Sequence, residues 1–510
     1  MTSQHKVLID TNVFIGLEDP KPVSPAGAEL VRKCGEHAVA LFIHQAAILD
    51  IQQDADAARR TISLSKLEKF QNLPRPVLPP RADLERDFGP IKKRNDEVDV
   101  ELLHTLRLNA VDLLITEDKG IHDRAKRAGL AARVLTVADA LSWLRRTFEP
   151  AKVRLPYIED RLAHEIDPSD TIFESLREGY PEFDAWWAKC IKQHRSCWVV
   201  TIGDQMAGLI VRKDETATAA GTRLPGAKVL KICTFKVRPE YRGEKLGELL
   251  LKQALWFAQR NAYDVVYLTT FADQTTLIRV IEYFGFICTD TKENGEFTFE
   301  KMMSRARLEP DDASDLFQLD RVNYPRFIAG SPAKAFFVPI QGAFHRILFP
   351  EIARAIPLPL FPGEDVLHAT DERKPGNTIR KVYLSHSNTR TLAPGDVLVF
   401  YHSKDEAMVA SQCVTSIGLV EKIAETTSFE ELVRLTAKRS VYSEGELREM
   451  IKAPILVIDF LLIGHLDAPV ALDDLLKEGV FKTHPPQSLC ELPPERFEPI
   501  RRRLDFGFEV

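Results

Sequence analysis

The stretch that most constrains the fold of this 510-residue chain is a strand, a polar turn and a helix in direct succession. An apolar strand is predicted over residues 229–237 and a largely apolar helix over residues 246–258. The turn between them contains Gly243, and Gly247 lies at the start of the helix. The first amides of a helix have no partner within it, and the helix dipole favours negative charge there. The turn therefore predicts a cradle for a diphosphate, to which Arg242 adds a positive charge.

The turn resembles the acyl-CoA-binding motif of GNAT-type N-acetyltransferases, which reads roughly Arg/Gln-x-x-Gly-x-Gly/Ala. Arg242 and Gly247 match this motif, whereas Lys245 stands where its first glycine is usual. The order of the predicted elements over residues 151–305 fits the same family. The resemblance implies that acetyl-CoA is bound by Val237, Arg242, Gly243, Glu244, Lys245, Leu246 and Gly247.

The reaction implied by this resemblance is the direct transfer of an acetyl group to an amine. It needs a base for the amine and an acid for the departing thiolate. The family often carries a tyrosine as the acid, four residues before a Gly-Phe pair. That position is Ile281 here, and Tyr283 follows two residues later. Glu240 and Glu282 are candidate bases, and the sequence does not choose between them.

Residues 1–150 place acidic residues at the ends of predicted strands. Asp10 ends one apolar strand and Asp118 follows another, and the intervening helices predict that the strands are parallel. Asp99, at the start of an amphipathic helix, and Asp50, on a second amphipathic segment, can join them. Carboxyl ends of parallel strands share one edge of a sheet, so we expect these acids to converge. Converging carboxylates repel one another unless a hard cation such as Mg²⁺ or Mn²⁺ lies among them.

This pattern resembles a PIN-domain nuclease over the whole of residues 1–150. The resemblance implies a metal-dependent endoribonuclease with four catalytic acids, namely Asp10, Asp50, Asp99 and Asp118. Asp10, Asp99 and Asp118 would hold the Mg²⁺ or Mn²⁺ ion. The second acid of the family is usually a glutamate, and Asp50 is shorter by a methylene group. Because the family includes toxins, an antitoxin is a further expected partner.

Residues 306–510 turn to short strands and loops that resemble the ASCH/PUA-like β-barrel family. The matching pieces are residues 376–380, 392–401 and 417–421. The resemblance implies a small β-barrel with helices that binds RNA or modified nucleobases. The implied RNA-binding residues are Thr378, Arg380 and Lys381. A few relatives hydrolyse acetylated cytidine with a lysine, but Pro375 occupies that position here.

The composition excludes several broad classes of protein. Lys and Arg number 68 against 74 Asp and Glu, a net charge of −6, so the chain is no basic coat for nucleic acid and RNA would need local patches. The seven cysteines form no CxxC pair, which favours a reducing compartment over a zinc site or a disulfide framework. No apolar run of about 18 residues occurs, so we expect a soluble cytoplasmic protein without a membrane partner. The oligomeric state stays open.

The sequence thus predicts three domains of α/β and α+β type. These are a PIN-like parallel α/β sheet (1–150), a GNAT-like mixed sheet (151–305) and an ASCH/PUA-like β-barrel (306–510). We expect an RNA-directed enzyme that combines an endoribonuclease, an N-acetyltransferase and an RNA-binding domain. Two alternatives stay open. One is an N-acetyltransferase, for instance of a protein substrate, with degenerate flanking domains, and the other is a regulator that senses acetyl-CoA without transferring its acetyl group.

Overall fold

The structure is a computed structural model that describes residues 5–10, 12–13, 25–52, 60, 70–148, 157–203, 205–310, 315–354, 378–405, 408, 411–437, 439 and 441–510. It divides into two compact units. The first contains Met1–Ala151 and Thr426–Pro454, and the second contains Lys152–Glu425 and Ile455–Val510. The division into three domains expected from the sequence stays a prediction.

The first unit is built on a parallel five-stranded sheet in the order β3-β2-β1-β4-β5. Its elements in chain order are β1 (Lys6–Ile9), α1 (Pro25–Glu36), β2 (Ala40–His44), α2 (Gln45–Gln52), β3 (Gln71–Leu73), α3 (Arg81–Phe88), α4 (Arg94–Arg107), β4 (Leu113–Ile115), α5 (Lys119–Arg127), β5 (Val134–Leu135) and α6 (Val137–Phe148). The central strands are apolar at successive positions, because a parallel sheet is covered on both faces. Val7, Leu8, Leu113 and Leu114 are accordingly fully buried.

Residues 426–454 complete this first unit although they lie far along the chain. Two nitrogens of the Arg434 guanidinium group, Nε and Nη2, donate to Asp112 Oδ1 at 3.0 and 2.8 Å. The other oxygen, Asp112 Oδ2, accepts the backbone amide of Lys6 at 2.9 Å. Asp112 directly precedes β4 and Lys6 begins β1. The segment therefore packs at the edge of the sheet where β1 and β4 begin.

The second unit contains a seven-stranded sheet in the order β11-β12-β10-β9-β8-β7-β6. Its elements are β6 (Tyr157–Leu162), α7 (Glu174–Gly179), α8 (Phe183–Lys192), β7 (Ser196–Ile202), β8 (Gln205–Thr216), α9 (Ala217–Ala220), β9 (Lys228–Val237), α10 (Leu246–Arg260), β10 (Val265–Thr270), α11 (Thr275–Tyr283), β11 (Ile287–Thr291) and β12 (Phe297–Met302). Strands β9 and β10 pair in parallel, and the other recorded pairs are antiparallel. This is the mixed sheet expected from the sequence.

A second sheet of this unit has the order β14-β17-β16-β15-β13-β18. The remaining elements are α12 (Leu316–Asn323), β13 (Ala335–Ile340), α13 (Gly342–Leu348), α14 (Pro350–Arg354), β14 (Arg380–Ser385), β15 (Val397–His402), β16 (Cys413–Thr426), α15 (Phe429–Thr436), α16 (Glu444–Met450), β17 (Ile455–Ala471), α17 (Leu472–Lys477), β18 (Cys490–Leu492) and α18 (Pro494–Arg501). Helices α15 and α16 belong to the 426–454 segment of the first unit. No helix in the described ranges combines the length and apolar character needed to cross a bilayer.

The described strands of residues 306–510 do not close into the expected β-barrel, since they form one six-stranded sheet with β14 and β18 at its two ends. One face of this sheet carries Phe337, Val399 and Ile417, which share a single hydrophobic core with Leu250 and Leu251 of α10. A sheet must bury its apolar face, either by closing on itself or by packing on another layer. Helix α10 supplies that layer, so the strands need not close.

We expect Arg434→Met to destabilise the first unit by about 3 kcal/mol, because removing one partner of a buried ion pair leaves the other uncompensated. Arg434 and Asp112 are only 15% and 10% exposed. The measurement is hydrogen exchange at the amides of β1 and β4, which should quicken. Lys452→Met is the control, since its pair with Glu449 is 70% and 71% exposed and contributes little. Equal exchange in the two variants would contradict the assignment of residues 426–454 to this unit.

Candidate functional site

Strands β9 and β10 are parallel neighbours that separate before they end. Their pairing stops at Ile232 and Leu268, whereas β9 continues to Val237. At the same point β9 carries an extra residue, Cys233, where its other neighbour β8 has none. Such a bulge bends a strand and changes which side chains face each side of the sheet. The sheet therefore opens between β9 and β10, on the side where β9 leads into the polar turn.

The polar turn is anchored at its first residue. Arg238 Nε donates to the carbonyl of Met206 at 2.9 Å, and the same guanidinium group pairs with Asp170 and donates to Thr171. Arg238 is thus a structural residue that fixes where β9 ends. The turn then folds back on itself through the amide of Arg242, which donates to the carbonyl of Pro239 at 3.1 Å.

Two residues of the turn adopt the left-handed backbone conformation. Gly243 has a φ of 86°, which glycine accepts without steric cost. Lys245 has a φ of 59° and stands directly before α10, at the position where the motif usually has its first glycine. Left-handed backbone costs a residue with a Cβ about 1 kcal/mol. Lys245, which departs from the sequence motif, therefore occupies a strained backbone position in the structure.

The start of α10 presents its backbone amides to open space. The first backbone bond of the helix runs from the amide of Leu249 to the carbonyl of Lys245 at 3.1 Å. The amides of Leu246 and Gly247 precede that bond and point out of the helix end. A Cβ added at Gly247 would meet no atom within 4 Å, so a ligand can approach the backbone closely. The residues expected to bind acetyl-CoA thus form a continuous cradle.

Two positive charges lie beside this cradle. Arg242 is exposed. Lys236, near the end of β9, donates to the hydroxyl of Ser175 on α7. Burial lowers the pKa of Lys236, and the neighbouring charge of Arg242 lowers it further. The positive charges of Lys236 and Arg242 therefore repel each other, and an anion bound between them would relieve that repulsion.

Tyr180 lies on the opposite side of the opening, between α7 and α8. Its hydroxyl donates to Glu296 Oε1 at 3.2 Å, and its ring lies 5.9 Å from that of Phe271, which directly follows β10. Burial and the negative charge of Glu296 raise the pKa of Tyr180 to about 12. No catalytic motif in the sequence singles out Tyr180, and the succession of Gly179, Tyr180 and Pro181 signals only the break between the two helices.

The residues suggested for acid and base catalysis lie elsewhere. Ile281 is fully buried in the core. The hydroxyl of Tyr283 donates to Glu421 Oε1 of β16 at 2.8 Å, so it is engaged with the six-stranded sheet. Glu240 and Glu282 are both exposed and show no hydrogen bond that would select one of them as the base.

The residues expected to bind RNA are engaged inside the second unit. Arg380 pairs with Glu248 of α10 at 2.9 Å, and Lys381 is 1% exposed. The Thr378 hydroxyl donates to the carbonyl of Arg380. Burial lowers the pKa of Lys381 to about 7. These side chains do not present a positive surface to a nucleic acid, so the RNA-binding role has no support in this geometry. Residues 376 and 377 of the matching piece, and Pro375, lie outside the described residues.

In the first unit the structure brings three of the four predicted acids together. Asp10 follows β1, and its Oδ2 accepts the hydroxyl of Thr116 at 2.6 Å. Asp118 caps α5 by accepting the amide of Ile121 at 3.0 Å. Asp99 of α4 lies close to Asp118, since a Cβ added at Gly120 would meet Asp118 Oδ1 at 2.9 Å and Asp99 Oδ2 at 3.9 Å. Burial, then the charge of Asp118 and then that of Asp10 raise the pKa of Asp99 to about 7. The side chain of Asp50 lies outside the described part of the chain.

The donor chemistry of Asp10, Asp99 and Asp118 suits a hard divalent cation, but their arrangement does not yet match a ligand set. Among the described residues, no group of three acidic, histidine or cysteine side chains is placed as metal ligands would be. Two of the three carboxylates already accept hydrogen bonds from the protein. The expected Mg²⁺ or Mn²⁺ ion therefore stays a prediction.

Replacing Lys245 with glycine should stabilise the second unit by up to about 1 kcal/mol, because the left-handed backbone at this position no longer strains a Cβ. Thermal unfolding measures the change. Gly243→Ala is the matched control and should lower the unfolding midpoint, because it places a Cβ on backbone with a φ of 86°. A fall in the midpoint for Lys245→Gly would show that contacts of the lysine side chain outweigh the strain.

Comparison with known proteins places this geometry in a family. Residues 160–286 match the acetyltransferase (GNAT) family. Two curated relatives are uncharacterised N-acetyltransferases, one of Dictyostelium discoideum, 35% identical over 79 residues, and one of Schizosaccharomyces pombe, 33% identical over 88 residues. The alignments take in 14% and 16% of this chain, and 37% and 53% of the relatives. The chain thus spans about half of those relatives or less.

Solved structures are similar to about a third of the chain. The ASCH protein of Zymomonas mobilis is 20% identical, with 33% of this chain and 93% of that chain covered and a TM-score of 0.21. Arabidopsis thaliana NAA60, in complex with a bisubstrate analogue, is 17% identical, with 29% and 98% covered and a TM-score of 0.23. The assignment rests on the family match and the two relatives. Residues 160–286 are thus similar to the GNAT acetyltransferase family.

Proposed function

We propose that residues 157–302 bind acetyl-CoA and transfer its acetyl group to an amine. The observation that carries the proposal is the opening between β9 and β10, which leads directly into the exposed start of α10. This arrangement lies within the stretch that matches the GNAT family. It combines a place for an extended chain with a place for a diphosphate.

The diphosphate would lie at the start of α10. The amides of Leu246 and Gly247 donate to phosphate oxygens, and the helix dipole favours their negative charge. Arg242 adds a charge-assisted hydrogen bond, which is stronger than a neutral one. The open space at Gly247 allows the close approach that amide donation requires.

The thioester end would lie along β9 beyond Ile232. There β9 still pairs with β8 on one side but no longer with β10 on the other, so its backbone groups on that side can bond an extended ligand. Acetyl-CoA supplies an activated acyl group. The protein holds that group in the opening and directs the amine towards it, which converts an encounter of two molecules into a reaction within one complex.

The acceptor would approach from the side of Tyr180. Glu296 and Asp273 both act on the pKa of Tyr180, so this side of the opening carries negative charge. Negative charge attracts a protonated amine, such as the amino terminus or a lysine side chain of a protein. With a pKa of about 12 the Tyr180 hydroxyl keeps its proton at neutral pH, and it is our candidate donor to the departing thiolate.

Acetyl-CoA binding by calorimetry, together with acetylation of a peptide mixture followed by mass spectrometry, tests the proposal. We expect Arg242→Met to weaken acetyl-CoA binding about tenfold, the loss of one charge-assisted hydrogen bond. Arg223→Met is the control, because Arg223 is an exposed arginine of the same domain outside the cradle. Equal binding by wild type and Arg242→Met, or no acetylated product with any peptide, would refute the proposed function.

The same assay separates two tyrosines. Tyr180→Phe should lower kcat about tenfold or more while leaving the KM for acetyl-CoA unchanged, because it removes a proton donor and no binding contact. Tyr283→Phe should leave kcat unchanged, because its hydroxyl is bound to Glu421 on a strand of the other sheet, whereas Tyr180 lies against Phe271 directly after β10. Equal loss in both variants would remove Tyr180 as the proton donor.

A second candidate function is phosphodiester cleavage of RNA by the first unit. One observation favours it: burial, together with the charges of Asp118 and Asp10, raises the pKa of Asp99 to about 7. Clustered carboxylates with a shifted pKa are typical of sites that bind a cation or transfer a proton. The ion would be held by these three side chains.

We expect cleavage of RNA in the presence of Mn²⁺ to fall at least tenfold in Asp10→Asn. Asp83→Asn is the control, since Asp83 lies on the surface of the same unit and pairs with Arg86. A gel assay with labelled RNA measures the rate. Unchanged cleavage in Asp10→Asn, or Mn²⁺-independent cleavage, would exclude this activity at the acidic cluster.

A further inference from the structure

Helix α10 carries two buried charges on the side opposite to solvent. Glu248 and Lys252 are four residues apart, which places them on one face of the helix, and they are 6% and 2% exposed. Each is paired with a residue from the C-terminal part of the second unit. Glu248 pairs with Arg380 of β14 at 2.9 Å, and Lys252 pairs with Glu351 of α14.

Glu248 lies in the first turn of α10, the turn whose amides form the cradle. Its position is two residues after Leu246, where the helix begins. A carboxylate in this turn would lie close to a bound diphosphate and repel its negative charge. Because Glu248 is buried, water and salt screen its charge poorly. Without a compensating charge, Glu248 would oppose the binding of any anion at the start of α10.

Arg380 supplies that compensating charge, and the structure holds it firmly. Its guanidinium group lies 4.5 Å from the centre of the Tyr283 ring. The hydroxyl of Tyr283 donates to Glu421, and Arg321 also lies over the ring, at 4.5 Å from its centre. Arg380 thus cannot swing away from Glu248 without breaking the stack, so the charge opposite Glu248 stays in place.

We propose that Arg380 is a positioning residue for acyl-CoA binding, which acts by neutralising Glu248 beneath the diphosphate cradle. The proposal rests on the proposed function of the cradle and assigns part of its affinity to a residue more than a hundred positions further along the chain. The C-terminal sheet, through β14, then contributes electrostatically to a site that it does not itself form.

Calorimetry with coenzyme A on the full chain tests this inference through charge changes of opposite sign. Arg380→Met removes the cation that is paired with Glu248 and should weaken binding about tenfold. Glu248→Gln breaks the same ion pair but keeps the positive charge of Arg380 beside the cradle, where, among the described residues, only the charge of Glu421 still opposes it, so binding should tighten severalfold. The double variant removes both charges and should bind within about twofold of wild type. Structural damage would weaken binding in all three variants.

The second pair on the same helix gives the matched control. Lys252→Met combined with Glu351→Gln removes the ion pair one turn further along α10. The double substitution changes neither the net charge of the protein nor the charge beneath the cradle. Its affinity for coenzyme A should equal that of wild type. In the acetylation assay, Arg380→Met should raise the KM for acetyl-CoA and leave kcat unchanged.

Several outcomes would overturn the proposal. These are unchanged binding in Arg380→Met, weaker binding in Glu248→Gln, or equal weakening in the Lys252/Glu351 control. Should Arg380→Met fail to fold, Glu248→Gln decides alone, because only the electrostatic role predicts tighter binding. Failure of this inference with Arg242→Met still weakening binding leaves the proposed function intact, whereas no binding of coenzyme A by wild type overturns both.

Discussion

The second unit depends on the packing of one helix, α10, between two sheets. Its apolar residues join the core of the seven-stranded sheet and that of the six-stranded sheet, so a single hydrophobic core holds both. Gly208 of β8 allows this close approach, since a Cβ there would lie 3.1 Å from Leu250 Cδ1. Burial of apolar surface provides most of the favourable free energy of folding. The stability of both sheets of this unit therefore depends on the packing of α10.

The exposed start and the buried face of this helix differ in how their charges are compensated. At its exposed start, charges and backbone dipoles face solvent and can meet a ligand. Along its buried face, Glu248 and Lys252 are each paired with a charge of opposite sign, as burial requires. The acidic cluster of the first unit differs from both, because Asp10 and Asp99 are buried or half-buried like charges. There the conflict appears as a raised pKa of Asp99.

The sequence was informative where local chemistry decides the outcome. The strand, the turn and the helix around Arg242 follow from apolar periodicity and glycine placement, and the parallel strands ending at Asp10 and before Asp118 follow from the same rules. It failed where long-range packing decides. Arg380 has the charge of an RNA contact, but only the tertiary structure shows that Glu248 lies opposite. The open sheet could not be foreseen either, because its cover is a helix from another part of the chain.

The contact between Arg434 and Asp112 has a consequence for the order in which the chain is completed. A ribosome releases the five strands of the first unit long before it reaches residue 434. Domains generally fold as they emerge, amino-terminal parts first. In the nascent first unit, Asp112 therefore lacks its ion-pair partner Arg434 until about 300 further residues have been added. Its final stability arises late in synthesis, and ribosomes that stall before that point leave an unfinished first unit.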